Sequence, residues 1–221
     1  MLPDLLAAGG VQMALDAGLL QTVESVLARR YTWSPPALSL GKFQRVALTP
    51  QLPFDVVRRP SGGRAVLHGE DFEWSFAVAF PPGTFGDRPS ASVDLQTPYD
   101  LVAGAIAGAL EELGTVLEGS DETAYRRSSF CFATIMRHDL MARGEKIVAI
   151  AQARDRGRVL VHGSVLERRP SRECTQAAEI LLGEPWEGDG LAGGGYSVAR
   201  DTLWGGVLAR LEAGLKAVRS T

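Results

Sequence analysis

Two stretches of this 221-residue chain hold residue types that could do chemistry. The first is Arg58-Arg59-Pro60-Ser61-Gly62-Gly63-Arg64-Ala65-Val66-Leu67-His68-Gly69. Adjacent glycines accept positive φ and let the backbone press against a ligand. Such a loop can cradle a carboxylate, a phosphate or an acyl carbonyl with its N–H groups. An ordinary turn uses the same Gly-Gly pair. The second stretch is Ser129-Phe130-Cys131-Phe132, followed by Gly144-Glu145-Lys146. A thiolate is a good acyl acceptor, and a neighbouring cation raises the thiolate fraction of a cysteine. By residue type alone, a cysteine between phenylalanines is more often a small core residue, and a lysine after a turn is more often a solvated charge. An imidazole side chain ordinarily titrates near neutral pH, so His68 and His162 could assist proton transfer, although a histidine beside Gly163-Ser164 also suits a hydrogen-bonded structural role. The three histidines and Cys131 lack metal-ligand spacing, so no metal site is expected. Cys174 falls in a helical stretch and is expected to be inert.

These residues need a frame to position them. Residues 11–29 place Met13, Leu15, Leu19, Leu20, Val23, Val26 and Leu27 on one side of a helix, and Tyr31-Thr32-Trp33-Ser34-Pro35-Pro36 breaks it. Strands are expected at 37–43, 54–58 (leading into the glycine loop), 65–67 and 73–80. Thr97-Pro98-Tyr99-Asp100 reads as a helix start, with a cap, a proline at the first position and an acid at the third. That helix runs to about Leu113, where Gly114 can close it in the left-handed conformation. Further strands are expected at 130–132, 139–143, 146–154 and 158–166, with Arg143-Gly144-Glu145 and Asp155-Arg156-Gly157 as hairpin turns. Helices at 173–182 and 199–218 follow, separated by a glycine-rich loop at 188–195. Frequent hairpins favour an α+β fold with a mixed, mostly antiparallel sheet over a doubly wound parallel one.

Composition excludes several classes. A formal net charge of −3 argues against nucleic acid recognised through a basic field. No apolar run reaches membrane-spanning length, so no membrane partner is expected. Two cysteines cannot build a disulfide framework, which points to the reducing cytoplasm. One domain over residues 1–221, acting as a monomer, is the expectation.

The glycine loop does not stand alone. Upstream lies Tyr31-Thr32-Trp33-Ser34-Pro35-Pro36-Ala37-Leu38-Ser39-Leu40-Gly41-Lys42-Phe43-Gln44. Downstream lie Lys146-Ile147-Val148-Ala149-Ile150-Ala151-Gln152-Ala153-Arg154 and Val161-His162-Gly163-Ser164-Val165-Leu166. In that order, over roughly residues 10–185, these blocks resemble the catalytic domain shared by lipoate–protein ligases, octanoyltransferases and biotin–protein ligases. The resemblance implies a fold related to class II aminoacyl-tRNA synthetases and transfer of an acyl group to a lysine of a lipoyl domain. The Cys-Phe pair before a Gly-x-Lys, and Gly-Gly-Arg with Val and His beyond it, are similar to the cysteine-dependent octanoyltransferases of Gram-positive bacteria.

On that resemblance Cys131 would carry the acyl group as a thioester and Lys146 would stabilise both the thiolate and the developing oxyanion. Substrate-binding candidates are Arg58, Arg59, Ser61, Gly62, Gly63, Arg64, His68, Asp139 and His162, with Arg58, Gly62 and Gly63 positioning the acyl carbonyl. The implied donor is octanoyl-acyl carrier protein. The implied acceptor is a lipoyl-domain protein, either a glycine cleavage H protein or a 2-oxoacid dehydrogenase E2. No cofactor is required for that chemistry. The alternatives are an ATP- and Mg²⁺-dependent lipoate ligase, which could need a separate accessory chain because none of this chain is left for that domain, and an acyl-binding paralogue without turnover. One departure stands out: Ala149-Ile150-Ala151 replaces the Gly-Ser-Ala usual in the family. The stretch between Gln44 and Phe54 also lacks a helix that relatives insert.

Overall fold

The computed structural model describes residues 1–47, 52–85, 95–119 and 128–218. In chain order the elements are β1 (Leu5–Ala7), α1 (Gly9–Thr22), β2 (Leu27–Trp33), β3 (Ala37–Leu40), β4 (Asp55–Arg58), β5 (Val66–His68), β6 (Glu73–Phe80) and α2 (Gln96–Glu112). Then come β7 (Leu140–Ala142), β8 (Glu145–Asp155), β9 (Arg158–Leu166), α3 (Arg172–Leu182), α4 (Gly190–Gly193) and α5 (Arg200–Val218). A six-stranded sheet has the order β1-β2-β6-β9-β8-β7, and a three-stranded sheet has the order β4-β3-β5. The large sheet is antiparallel apart from the parallel β1–β2 pair. The fold is α+β, as the sequence implies.

The centre of the large sheet explains the architecture. All of β6 is buried, so both of its faces must be covered. Successive strand residues face opposite sides. One face presents Trp74, Phe76, Val78 and Phe80, which join Val159, Val161 and Val165 of β9. This face is covered by α2 through Val102, Ile106 and Leu110 and by α5 through Leu203, Trp204 and Val207, at helical spacing. The other face carries Ala77, Ala79 and Leu160, packed against Met13 and Leu20 of α1 and Tyr31 and Trp33 of β2. That second face also buries Glu73, Ser75, His162 and Ser164. The small sheet adds a satellite core in which Leu38, Val66 and Leu67 meet Phe130, Phe132, Leu166 and Trp186.

Several sequence expectations are corrected. The helix expected at 11–29 stops at Thr22, and Leu27–Trp33 is a strand. Residues 27–31 pair with 75–79 of β6, and Tyr31 to Trp33 pair with β1. These non-local ladders override the local helical spacing. Tyr31, Thr32 and Trp33 therefore belong to a strand, not to the break. The α2 helix begins one residue before Thr97, with Leu95 at the cap position and no side-chain cap, so Thr97 lies inside the first turn. Its other end follows expectation, with Gly114 at φ +86°. Residues 130–132 form no strand; Phe130 alone bridges Ala65, because the chain turns back at Cys131, where the Thr134 N–H donates to the Cys131 carbonyl. The loop at 188–195 contains the short α4. The strand at 37–43 ends at Leu40, where Gly41 runs so close to the glycine loop that a Cβ there would sit 2.0 Å from the Gly63 carbonyl oxygen. Both hairpin turns form as expected. Arg143-Gly144 and Arg156-Gly157 have positive φ throughout (52° and 74°, 46° and 81°), the geometry that matches strand twist.

Candidate active site

Cys131 is held from both sides. The Ala65 N–H donates to the Ser129 carbonyl (2.9 Å), and the Cys131 N–H donates to the Ala65 carbonyl (2.8 Å), which extends the small sheet by one parallel step. Behind this step, Phe130 is fully buried and meets Trp186 edge-on, with centroids 5.3 Å apart. Glu184, just past the left-handed Gly183 that ends α3, clamps the preceding residues. Its carboxylate accepts from Ser128 Oγ (2.6 Å), Ser129 N (2.8 Å) and Ser129 Oγ (2.8 Å). These hydrogen bonds, that of Ser128 foremost, hold the Glu184 carboxyl below its ordinary value. The thiol is thus fixed by backbone pairing, an aromatic contact and an ionic clamp.

Lys146 is the second residue of β8, just after the Arg143-Gly144 turn, and is buried rather than solvated. Its Nζ lies 2.6 Å from Asp139 Oδ2, donates to the Cys131 carbonyl at 2.7 Å and stands 4.0 Å from Cys131 Sγ. Asp139 is itself fixed, with Oδ2 accepting from the Met136 N–H at 2.8 Å. Burial pushes its carboxyl above the ordinary value, against the opposing pull of Lys146. A buried lysine aimed at a cysteine is a ready stabiliser of negative charge on sulfur or on a thioester oxygen.

Two chains of side-chain hydrogen bonds end on the 59–64 loop. In one, Asp16 accepts from His162 Nδ1 (2.8 Å), and His162 Nε2 lies 2.6 Å from Ser61 Oγ. Asp16 also receives Arg29 (2.7 Å) and the Tyr31 hydroxyl (3.0 Å). Burial alone would raise the Asp16 carboxyl, but His162 and Arg29 together hold it below its ordinary value. In the other, Glu73 Oε1 faces His68 Nδ1 (3.3 Å), His68 Nε2 meets Ser39 Oγ (2.6 Å), and Arg59 Nη1 donates to the same Ser39 Oγ (2.7 Å). Arg59 then donates to the carbonyls of Gly62 (3.2 Å) and Arg64 (2.7 Å). Burial lowers the pKa of His68, whose ring stacks on Trp33 at 4.0 Å. Burial also lowers that of Arg59, opposed by attraction to the Cys131 sulfur nearby.

Two spaces meet at Cys131. The first is a small, largely apolar pocket with Met13, Tyr31, Trp33, Val66 and Cys131 among its walls. His68 and His162 also line it. The second is a larger cleft bordered by Gly62, Gly63, Arg64, Tyr99, Arg137 and Asp139. Cys131, Arg59, Ile150 and Ala151 belong to both.

The structure therefore brings Cys131, Lys146, Arg59 and Asp139 together, with Gly62, Gly63 and Arg64 on the cleft side. Ser61 lines neither space and is an anchor beneath the loop. Arg58 is also elsewhere: its Nη1 donates to the carbonyls of Gly41 (2.7 Å) and Gln44 (2.8 Å), which makes it a clamp on the 41–44 segment and not a ligand for an acyl carbonyl. Sequence reasoning missed Asp16, Ser39, Glu73, Ser75, Ser164 and Glu184. A signal for four of them was visible: Ser39, Glu73, Ser75 and Ser164 are polar positions within otherwise apolar strands. Among the described residues no cluster of His, Cys, Asp or Glu is arranged to hold a metal.

An α+β sheet that carries its reactive residues between an apolar pocket and a larger cleft defines a class. Residues 9–178 match the lipoyl protein ligase A/B catalytic domain, and the chain belongs to that family. Within it, the chain is 31% identical over 173 residues to octanoyltransferase LipM of Staphylococcus epidermidis, covering 70% of this chain and 60% of that protein. It is 36% identical over 153 residues to octanoyltransferase LipM of an Exiguobacterium species, covering 62% and 52% respectively. The chain thus spans about 60% of the length of the first of these curated relatives. The fold is shared with a T. acidophilum protein solved with bound lipoic acid (TM-score 0.72, 17% identity, 98% of this chain and 84% of that one). It is shared too with lipoate-protein ligase A bound with ATP (TM-score 0.68, 18% identity, 98% and 84%). No helix among the described residues is long and apolar enough to cross a membrane.

Proposed function

We propose that this chain is an acyltransferase that takes an octanoyl group from acyl carrier protein onto Cys131 and passes it to a lysine of a lipoyl-domain protein. The single observation that carries the reading is the position of Cys131 Sγ, at the junction of the apolar pocket and the larger cleft with Lys146 Nζ 4.0 Å away. The relatives named octanoyltransferase LipM support the same chemistry. The acyl tail occupies the apolar pocket, which gains the hydrophobic free energy of about 0.8 kcal/mol per buried methylene. The Cys131 thiolate attacks the donor thioester carbonyl, and Lys146 and Arg59 stabilise the oxyanion as the donor thiol leaves. The acyl-enzyme then faces the cleft, through which an acceptor lysine enters. Because the acyl group arrives already activated, no nucleotide is consumed.

The test is intact mass of the protein after incubation with octanoyl-acyl carrier protein in the absence of ATP. A covalent octanoyl adduct that is lost on adding an apo lipoyl domain, and that never forms on Cys131→Ala, is the expected result. Strict dependence of transfer on ATP and free acid would instead assign the chain to the ligases.

A further inference from the structure

We infer that Asp139 is the general base of the second half-reaction, accepting a proton from the acceptor lysine as it attacks the Cys131 thioester. The inference rests on the thioester reading above. Its ground is the placement of the carboxylate. Asp139 borders the larger cleft, by which the acceptor would arrive, and not the smaller acyl pocket. It is separated from Cys131 Sγ by one group, the Lys146 ammonium that touches both.

Its two oxygens are unequally committed. Oδ2 accepts from Lys146 (2.6 Å) and from the Met136 N–H (2.8 Å), whereas among the described residues Oδ1 has one long contact, from the Ile150 N–H at 3.4 Å. Oδ1 retains lone-pair capacity for a further proton donor. Burial raises the affinity of this carboxylate for a proton despite the adjacent ammonium, which moves a weak base toward the working pH.

Among the described residues, the histidines and lysine near the site are engaged elsewhere. His68 and His162 sit in the two relays that hold the glycine loop and line the acyl pocket, not the cleft. His138 borders the cleft, but its ring stacks on Tyr99 at 4.4 Å and its Nε2 bonds Asp100 at 3.1 Å. Lys146 donates to Asp139 and to the Cys131 carbonyl, so it serves as an electrostatic stabiliser.

The step balances as follows. The acceptor lysine enters as an ammonium and loses one proton to water to become nucleophilic. Its nitrogen bonds to the thioester carbon, and the carbonyl electron pair moves to oxygen, facing Lys146. The nitrogen, now positively charged, gives its second proton to Asp139. The oxyanion collapses, the C–S bond breaks with its electron pair on sulfur, and an amide is released. The proton on Asp139 passes to the Cys131 thiolate, which restores the free thiol and the carboxylate.

The experiment prepares octanoyl-enzyme from wild type and from Asp139→Asn, then follows loss of the adduct by intact mass in single turnover. Asparagine keeps the shape and an acceptor oxygen for Lys146. Asp139→Asn also removes the buried counter-charge of Lys146, so some loss in acylation is expected, but deacylation with an apo lipoyl domain should slow further, by about 10²–10⁴. Hydroxylamine, which is already neutral at pH 7, should deacylate both proteins at similar rates. Equal deacylation of the two proteins by the lipoyl domain overturns the inference. So does a loss in acylation, or with hydroxylamine, as large as the loss with the lysine acceptor, because Asp139 would then act only through Lys146. Should Asp139→Asn fail to fold, the wild-type acyl-enzyme decides: deacylation by the lipoyl domain must slow in D₂O more than deacylation by hydroxylamine, and equal sensitivity sinks the proposal. Absence of any wild-type adduct refutes the thioester reading itself, a result distinguishable from failure of the base assignment alone.

Discussion

The two faces of the central sheet are built from the same strands and do opposite things. On the helix-covered face, Trp74, Phe76, Val78 and Phe80 pack against α2 and α5, and the buried neighbours there are apolar. One residue along, Glu73, Ser75, His162 and Ser164 are just as buried but polar; Ser75, Ser164 and His162 bond other side chains, and Glu73 bonds Ser75 through Oε2 while its Oε1 has only the 3.3 Å approach of His68. A buried polar group costs free energy unless it is paired, so the second face is maintained at a cost that the first avoids. The difference teaches where the fold keeps its stability and where it keeps its geometry. The helix face supplies the driving force. The pocket face uses part of it to hold a loop, a thiol and an ammonium in place.

That contrast breaks most sharply with a pair of substitutions. Cys131→Ala should abolish the acyl-enzyme and lower transfer by many orders of magnitude while leaving the thermal midpoint nearly unchanged. Phe76→Ala should cost about 3–5 kcal/mol of stability, measured by denaturant titration, while the fraction still folded stays active. A Cys131→Ala protein with full transfer would remove the covalent mechanism. Next, Lys146→Ala should slow acylation by about 10²–10³, the usual loss for one oxyanion donor. The double variant with Cys131→Ala should lose little more than Cys131→Ala alone, because residues acting as a unit are not additive.

Smaller effects sharpen the picture. Asp16→Asn leaves the Arg29 guanidinium buried without its counter-charge, and breaking a buried pair typically costs about 3–5 kcal/mol. Unlike Phe76→Ala, it should also weaken octanoyl binding, because His162 and then Ser61 lose their orientation. Unchanged binding in the folded fraction would mean that the relay does not govern the loop. The mildest test uses pH. His68 is depressed below its ordinary 6.5 in the folded protein, so below pH 6.5 the unfolded chain binds the proton more readily. Stability should therefore fall as pH drops through 6.5, and His68→Gln should flatten that slope in thermal melts. A slope unaffected by the substitution would assign the acid sensitivity to other groups.

What could be read from the sequence follows how local each cause is. Glu73–Phe80 and Arg158–Leu166 were legible to the residue because alternation and turn chemistry are local. The two Arg-Gly turns were legible for the same reason. Strand β2 was not, since Val23, Val26 and Leu27 continue the helical spacing of α1 and only the partners in β6 decide otherwise. Within the site, Cys131 and Lys146 stood out through the resemblance of the blocks around them, since residue type alone favours a core cysteine and a solvated lysine. Asp16 did not, because an aspartate in an amphipathic helix ordinarily faces water, whereas here its partner His162 lies 146 positions away. Arg58 and Arg59 could not be told apart in sequence. Strand alternation sends the first toward the 41–44 segment and the second toward Cys131.

The relays that fasten the glycine loop have a consequence for how the protein matures. Ser61 and His162 are 101 residues apart in sequence, and Ser39 and His68 meet only once β3 and β5 are paired. Such long-range contacts form late, after the loop-closure entropy has been overcome by the rest of the sheet. The loop can hold its shape only when strands from both halves of the chain are joined. On the proposed reading, a ribosome-bound or partly unfolded chain would have the cysteine without the loop and pocket that hold an acyl group beside it.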